Sequence, residues 1–387
     1  MIIQRKNMKK ISNLIENMKP SGIREFFNYA SERPEIVSLG VGEPDFVTPR
    51  PVIEAAKKSL DEGKTFYTSN QGLPSLRRRI SDYLSKRFDV HYDADEMILT
   101  AGSSQGILAA MMAIINPGDE IIVTEPTYIC YVPDIEMCGG KAVVIPLSSD
   151  NEYKLTPDIL EKYITKNTKA IFLSYPNNPT GAIMTKEELE AIAPIILKND
   201  LYVISDEIYA ELTYGSRHCS IASFQGFKER TILISGFSKA FAMTGWRLGY
   251  VCAPKFILDQ ILKIQQYMML SAPTTAQYGA RAALDVCIPD MENMVNEYNR
   301  RREYLLTSFK ELGIDCFDAR GAFYLFPSIK KFGMSSRDFC LKLLHEHNVL
   351  VVPGTAFGDS GEGYIRISYA TSMERLKIFI ETLRKLK

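Results

Sequence analysis

The sequence has no excess of charge of either sign. Its 387 residues include 46 Lys and Arg and 46 Asp and Glu, so the formal net charge is zero at pH 7. Proteins that bind nucleic acid or an anionic membrane surface usually carry a basic patch or stripe. The balance of charge therefore argues against both kinds of partner, and we expect a small-molecule ligand instead.

Paired cysteines and long apolar runs are also missing. The seven cysteines are scattered, odd in number and never arranged as C-x-x-C, which disfavours a disulfide framework and a zinc site. No apolar run approaches the length of a membrane span, and no apolar stretch follows the basic start MIIQRKNMKK, as it would in a secretory signal. These absences predict a protein of the reducing cytoplasm.

Short β-branched runs alternate with helical patterns between about residues 96 and 253. The helical patterns include 105–115 and 186–198, and the runs are EMILT, IIVTEP, KAVVIPL, KAIFLSYP, LYVISDE, TILISGF and RLGYVCA. This alternation is typical of an α/β fold with a mainly parallel wound sheet, here of about seven strands, that helices cover on both faces. Ligands of such sheets bind at the carboxyl ends of the strands.

The pattern changes after about Pro289. A long charged helix (291–313), two short strand regions (322–328 and 363–369) and a closing helix (373–387) predict a separate, smaller α+β unit. The first fifty residues do not belong to the wound sheet, and we expect them to pack with that unit. The chain thus divides into an N-terminal segment (1–50), a large ligand-binding domain (51–288) and a small C-terminal domain (289–387).

Lys239, in SGFSKAFAMTGWRLGY, lies directly behind the apolar run 231–234. It comes off the end of a core element, just ahead of an aromatic and methionine-containing segment. Desolvation of this kind lowers the pKa of an ammonium group and frees the amine as a nucleophile toward carbonyls. The alternative is an ordinary solvated lysine.

Polar side chains follow two other runs of the predicted sheet. Asn178, in YPNNPTG, is held by the following proline and could donate to a ligand oxygen, although Asn-Pro pairs are usually turns. Asp206 closes LYVISDE, where a carboxylate is costly unless it pairs with a cation such as a protonated pyridine nitrogen. Tyr209 could then contact the same ligand. A helix cap at Asp206 is the alternative.

Residues suited to anions occur in three further segments. Ser103 and Ser104, in TAGSSQGI, open an apolar helix whose amides and dipole would hold a phosphate, unless the serines only cap it. No nucleoside-triphosphate or dinucleotide glycine motif is present, so a single phosphate is favoured. The planar guanidinium of Arg247 suits a phosphate and that of Arg366 a carboxylate. The alternatives are a structural ion pair for Arg247 and a surface strand position for Arg366.

Taken together, six motifs in order along nearly the whole chain resemble the fold-type-I pyridoxal-phosphate-dependent aminotransferases of the class I/II family. The opening PSGIREFF and the ending AFGDSGEGYIRISYA resemble the branch of aspartate, aromatic and N-acetyl-diaminopimelate aminotransferases. The six motifs are GEPDF, YTSNQGLPSLR, PNNPTG, SDEIY, SKAFAMTGWRLGY and GYIRISYA.

The resemblance implies roles around a pyridoxal 5′-phosphate ring. Lys239 would form the Schiff base and move a proton between the substrate α-carbon and the cofactor. Asp206 would pair with the pyridinium nitrogen, Tyr209 and Asn178 would hydrogen-bond the ring hydroxyl oxygen, and Tyr128 would stack on the ring face.

The resemblance also implies anion ligands at both ends of the site and a homodimer. Arg366 would hold the substrate α-carboxylate, with the backbone at Gly42 closing over it. The implied phosphate ligands are Ser103, Ser104, Arg247, either Ser235 or Ser238, and Tyr67 from the other subunit.

The expected activity is therefore transfer of an amino group from an L-amino acid, such as aspartate or an aromatic one, to a 2-oxo acid such as 2-oxoglutarate. One alternative is a pyridoxal-phosphate carbon-sulfur β-lyase. Another is a non-catalytic effector-binding half of a transcription regulator, which the lack of a preceding helix-turn-helix pattern disfavours. The donor stays open: no second arginine is assignable to a distal carboxylate, and Phe26 and Phe27 either face the cleft or pack inside an early helix.

Overall fold

The computed structural model describes residues 9, 11–18, 20, 22, 33 and 35–386. The described residues form the strands β1 (Val37–Ser38), β2 (Met97–Thr100), β3 (Glu120–Glu125), β4 (Lys141–Pro146), β5 (Thr168–Ser174), β6 (Tyr202–Asp206), β7 (Thr231–Gly236), β8 (Gly249–Cys252), β9 (Tyr324–Leu325), β10 (Val349–Leu350), β11 (Val352–Pro353) and β12 (Ile365–Ser368).

The same residues form the α-helices α1 (Asn13–Asn17), α2 (Arg50–Asp61), α3 (Pro74–Phe88), α4 (Ser103–Ile114), α5 (Tyr131–Met137), α6 (Pro157–Tyr163), α7 (Lys186–Lys198), α8 (Lys255–Met268), α9 (Thr274–Val286), α10 (Ile288–Glu311), α11 (Ser336–His347) and α12 (Met373–Lys385). None of these helices is long and apolar enough to cross a membrane.

Strands β2 to β8 form one seven-stranded sheet in the order β2-β8-β7-β6-β5-β3-β4, in which β8 alone runs antiparallel to its neighbours. Side chains of β3 alternate between two apolar layers. Ile122 packs with Leu189 of α7 on one face, and Ile121 and Val123 pack with Ile107 of α4 on the other. Strands of this kind are apolar throughout because helices bury both faces. The predicted fold class, with its seven strands, is confirmed.

Helix starts follow local chemistry. Helix α7 begins with a capping box in which the Thr185 side chain accepts from the Glu188 amide and the Glu188 side chain accepts from the Thr185 amide. Helix α10 begins at Ile288 and carries Pro289 in its first turn, where the missing N–H removes no helical hydrogen bond. The prediction that this helix starts at Met291, after the proline, was therefore wrong by about one turn.

Strand β1 lies against the C-terminal region, which contains the four other short strands. Strand β1 pairs in parallel with β10, and β11, β12 and β9 form a small antiparallel sheet. The pairing of β1 with β10 joins residues 37 and 38 to the C-terminal region, and the packing of the whole N-terminal segment with that unit stays a prediction. The boundaries at residues 50 and 288 stay a prediction.

The topology of the large sheet brings three strand ends together. Ser174 at the end of β5 pairs with Asp206 at the end of β6, and Asp206 pairs with Ile234 near the end of β7. Residues that follow these strands in sequence therefore lie around one crevice at the carboxyl edge of the sheet, as such folds require of a ligand site.

Candidate active site

A cavity of about 520 Å³ opens at this edge of the sheet. Residues from the N-terminal segment, the large sheet and the C-terminal region all contribute to its wall. Of the residues predicted from sequence, those that line it are Gly42, Ser103, Ser104, Tyr128, Asn178, Asp206, Tyr209, Ser238, Lys239, Arg247 and Arg366.

Lys239 lies three residues beyond the end of β7, and its Nζ donates to the backbone oxygen of Gly42 at 2.7 Å. The rings of Tyr209 and Phe323 approach the same nitrogen, with centroids at 5.9 and 5.8 Å. Burial lowers the pKa of Lys239 to about 8, although the charge of Glu43 opposes the shift. About one amine in ten is therefore neutral at pH 7, far more than for an ordinary lysine, and the neutral form is the one that a nucleophile or base requires.

Asp206 is the last residue of β6 and is 4% exposed. Its Oδ2 accepts from the hydroxyl of Tyr131 at 2.7 Å, and its Oδ1 accepts from the backbone N–H of Ile208 at 3.1 Å. No helix begins at residue 207, and residues 208–211 form a turn, so Asp206 is not a helix cap. Burial raises the pKa of Asp206 to about 6, and no lysine or arginine of the described chain forms an ion pair with it. The carboxyl group faces the cavity in need of a cationic partner.

Arg366, in β12, is 2% exposed and holds its guanidinium between the rings of Tyr324 and Phe357, whose centroids lie 4.6 and 4.7 Å from the guanidinium carbon. Its strand neighbours Ile365 and Ile367 are buried in the apolar core. Arg366 therefore points to the cavity side of the strand.

The guanidinium of Arg366 uses part of its donor capacity within the protein. Nη1 donates to Oδ1 of Asn178 at 3.0 Å, and Nη2 donates to the backbone oxygen of Gly40. The Nε atom is buried without a partner. A buried cation with an unpaired donor fits a carboxylate, because native proteins rarely leave such donors unsatisfied.

The opposite side of the cavity contains the start of helix α4. Gly102, with φ of 80°, is the N-cap, and the helix has no side-chain cap, so Ser103 and Ser104 do not cap it as the alternative supposed. The Arg247 guanidinium lies over Gly102, and a methyl group there would overlap it. Two hydroxyls, a guanidinium and a helix N-terminus together suit a phosphate.

Two predicted phosphate ligands lie outside the cavity wall of their own chain. The hydroxyl of Ser235 donates to the backbone oxygen of Glu207 at 3.1 Å, whereas Ser238 lines the cavity. Tyr67 has 79% of its surface exposed and does not reach the cavity.

Two tyrosines of the site were missed from the sequence. Tyr131, the first residue of α5, contacts Asp206 and also lies 3.0 Å from the hydroxyl of Ser174. Tyr128 precedes this helix, and its ring lies in edge contact with that of Tyr131, with centroids 5.6 Å apart. Tyr324 lies 2.8 Å from the Tyr209 hydroxyl, oxygen to oxygen. Nothing local in GAFYLF signals a partner 115 residues away.

A segment that we name the cover segment (residues 39–48) closes the cavity from the N-terminal side. Besides Gly40 and Gly42, it contributes Glu43, whose Oε1 accepts from the hydroxyl of Thr244 at 2.7 Å. Phe26 and Phe27, for which a cleft position and a position inside an early helix were both open, lie outside the described residues.

The cover segment is anchored to α10 by an arginine that was also missed. Nη1 of Arg301 donates to both carboxylate oxygens of Asp45, at 2.8 and 3.0 Å, and Nε of Arg301 donates to Glu297 at 2.8 Å. Because Arg301 is buried, this contact holds the cover segment firmly over Lys239.

Comparison with known proteins gives one consistent family. A family model described as aminotransferase class I and II matches residues 34–383. The chain is 50% identical over 378 residues to the protein YugH of Bacillus subtilis (strain 168), with 97% of each chain covered. It is 42% identical to an aspartate aminotransferase of Pyrococcus abyssi (strain GE5 / Orsay), covering 97% of this chain and 98% of that protein. The crystal structure of the aromatic aminotransferase from Pyrococcus horikoshii OT3 superimposes with a TM-score of 0.89 at 42% identity, covering 94% of this chain and 100% of that chain.

We expect Asp206→Asn to stabilise the ligand-free protein at alkaline pH. The pKa of Asp206 is raised from 3.8 in the unfolded chain to about 6 in the folded protein. Ionisation of Asp206 therefore destabilises the folded protein. The full destabilisation is present above about pH 6, and none of it remains below about pH 3.8. The free energy of unfolding in urea should rise by about 1–3 kcal/mol above that range, and the gain should shrink steadily as the pH falls through it. The exposed residue Asp61 supplies the control Asp61→Asn. A gain that does not depend on pH would contradict the assignment.

Proposed function

The chain belongs to the class I and II aminotransferases and is an aminotransferase, and we propose that it binds pyridoxal 5′-phosphate in the cavity around Lys239. We further propose that it transfers the amino group of aspartate, an aromatic amino acid or a related donor to a 2-oxo acid such as 2-oxoglutarate. The observation that carries the proposal is the placement of three ionisable groups, the buried Asp206 and Arg366 and the partly buried Lys239, around one cavity without ion pairs among them.

The residues of the cavity fit the cofactor at three points. Asp206 lacks a cation, which a protonated pyridine nitrogen would supply. Ser103, Ser104, Ser238 and Arg247 surround the start of α4, where a phosphate would be held. Of the two serines that the sequence left open, Ser238 is the proposed phosphate ligand because the hydroxyl of Ser235 already donates to Glu207.

Pyridoxal phosphate, when bound, supplies an electron sink that stabilises negative charge at the α-carbon of an amino acid. Asp206 would keep the ring nitrogen protonated, which this role requires. Tyr209 and Asn178 would donate hydrogen bonds to the ring hydroxyl oxygen, and Tyr128 would pack against the ring face. Each of these side chains lines the cavity.

Lys239 would be the covalent attachment point and the base. Its neutral Nζ removes the proton from the substrate α-carbon, and the resulting ammonium holds that proton inside the cavity for return. The pKa of about 8 suits both states, because neither the neutral nor the protonated form is rare near neutral pH.

Arg366 would bind the substrate α-carboxylate through its unpaired Nε and the remaining Nη2 hydrogen. This fixes the orientation of the amino acid, and orientation decides which bond at the α-carbon lies across the ring plane. The backbone at Gly42 would close over the bound carboxylate.

A homodimer would complete the phosphate site with Tyr67 of the second copy. The segment that carries Tyr67 is braced to its own chain, since Thr274 donates to the Phe66 backbone oxygen at 2.8 Å. Yet the rings of Phe66, Tyr67 and Tyr267 are 80%, 79% and 94% exposed. Clustered exposed aromatic side chains mark an interaction surface.

The seven cysteines are all unpaired, as a reducing cytoplasm would keep them.

We expect the protein to take up pyridoxal phosphate with a new absorption band, and borohydride reduction followed by peptide mass spectrometry to place the cofactor on Lys239. The initial rate of band formation should rise with pH around the Lys239 pKa of about 8, because the free amine is the nucleophile. Lys239→Ala should abolish the covalent product, whereas Lys255→Ala, at an exposed helical lysine, should not. A wild-type protein that shows no new absorption band with pyridoxal phosphate would refute the proposed cofactor.

Arg366→Ala should raise KM for every amino-acid donor by roughly 10- to 100-fold, because it removes a charge-assisted pair of hydrogen bonds. Arg366→Lys keeps the positive charge but loses the paired N–H donors of the guanidinium, so its KM should lie between those of the wild type and Arg366→Ala. The exposed Arg375 of α12 provides the matched control Arg375→Ala. Unchanged KM values in steady-state assays would rule out the carboxylate role.

Single amino acids incubated with 2-oxoglutarate should yield glutamate, with aspartate and aromatic donors among the active ones. The carbon-sulfur lyase alternative instead predicts pyruvate and ammonia from cystathionine-like substrates, and no comparison favours it. Glutamate at background with every donor would refute the proposed substrate range.

A further inference from the structure

Tyr324 connects the two halves of the site. Its hydroxyl lies 2.8 Å from that of Tyr209, the proposed donor to the cofactor ring, and its ring face lies 4.6 Å from the guanidinium carbon of Arg366, the proposed substrate ligand. The side chain is 1% exposed. A methyl group on Gly42 would overlap the Tyr324 hydroxyl, so the cover segment fits directly over it.

The direction of the hydrogen bond between the two tyrosines follows from counting protons. Each hydroxyl has one proton to donate. Burial raises the pKa of both Tyr209 and Tyr324, so both stay protonated at neutral pH. If Tyr209 donates its proton to the ring oxygen, it can only accept from Tyr324. Within the described chain, Tyr209 is the hydrogen-bond partner of the Tyr324 hydroxyl, which leaves that proton available.

We propose that Tyr324 is a positioning residue that donates to Tyr209 and thereby strengthens Tyr209 as the donor to the ring hydroxyl oxygen, while its ring holds Arg366 in place. The inference rests on the proposed function, because it needs a ligand oxygen in front of Tyr209. It assigns two separable parts of one side chain, the hydroxyl and the ring, to the two ends of the reaction site.

The hydroxyl acts through polarisation. Hydrogen bonds in a chain strengthen one another when the surroundings are buried. A bond donated to the ring oxygen favours the ionised form of that oxygen and lowers its pKa. Loss of the Tyr324 hydroxyl weakens this bond, and the pH midpoint of the cofactor absorption band must therefore rise.

The ring acts on the substrate side. Arg366 is held between Tyr324 and Phe357, and an aromatic face attracts a guanidinium in a desolvated site. Phenylalanine at position 324 keeps this face, whereas leucine removes it. The two substitutions therefore separate the effect on the cofactor from the effect on substrate binding.

The test compares pH titrations of the cofactor band in the loaded enzyme. In Tyr324→Phe the midpoint should rise by about 0.5–1 pH unit, and KM for the amino acid should change less than about twofold. Tyr324→Leu should add a rise in KM of about two- to tenfold. Tyr369→Phe is the matched control, because this buried hydroxyl donates to the backbone oxygen of Ala322 and not to a site residue.

A double-substitution cycle with Tyr209→Phe distinguishes a relay from a general disturbance. Once Tyr209 has lost its hydroxyl, Tyr324→Phe should shift the midpoint no further. An unchanged midpoint in Tyr324→Phe, or full additivity with Tyr209→Phe, would overturn the inference while the cofactor band of the wild type upholds the proposed function. A wild type without the band would refute the proposed function and this inference with it.

Discussion

The site depends on keeping ionisable groups buried without pairing them to one another. Asp206 and Arg366 are buried and Lys239 is partly buried around one cavity, and desolvation shifts the pKa of each in the direction that favours its neutral form. An ion pair between Asp206 and Lys239 would stabilise the charged form of both side chains, and neither would then be available to a ligand. The wound sheet prevents this pairing, because it fixes the two residues at the ends of neighbouring strands with their side chains held by other partners.

The hydrogen-bond partners that hold these groups are all uncharged, namely a hydroxyl, backbone groups and the side-chain amide of Asn178, and this has a chemical consequence. Tyr131 stabilises the ionised form of Asp206 by one hydrogen bond and leaves its charge in place, as a lysine would not. The backbone oxygens of Gly40 and Gly42 similarly occupy donors of Arg366 and Lys239 without cancelling their charge. The cover segment therefore satisfies hydrogen bonds while leaving the cavity electrostatically complementary to a ligand that carries a cationic ring nitrogen and anionic phosphate and carboxylate groups.

Sequence reasoning found the residues that local pattern exposes. Asp206 and Lys239 follow apolar strands, Arg366 lies in an alternating strand, and the strand count itself followed from β-branched runs. It missed Tyr131, Tyr324 and Arg301, because each gains its meaning from a partner distant in sequence, such as Tyr209 for Tyr324 and Asp45 for Arg301. Long-range contacts of this kind depend on how the C-terminal region packs against the large sheet. The periodicity of apolar residues in the sequence contains no information about that packing. The helix start at Ile288 was misplaced because proline breaks helices in their interior and not in their first turn.

The docking of the C-terminal region also orients both proposed donors to the cofactor ring. The Asn178 amide oxygen accepts from Arg366, which orients the amide so that its N–H groups can donate to a ligand oxygen. The Tyr209 hydroxyl is hydrogen-bonded to that of Tyr324. If Tyr324 is the donor, the Tyr209 proton is likewise left to be donated to a ligand oxygen. Arg366 and Tyr324 belong to adjacent strands, β12 and β9. Any movement of that small sheet relative to the large one would shift Arg366 and the partners of both proposed ring donors together, so in the proposed site the alignment of the C-terminal region would be coupled to substrate binding and to the protonation of the ring oxygen.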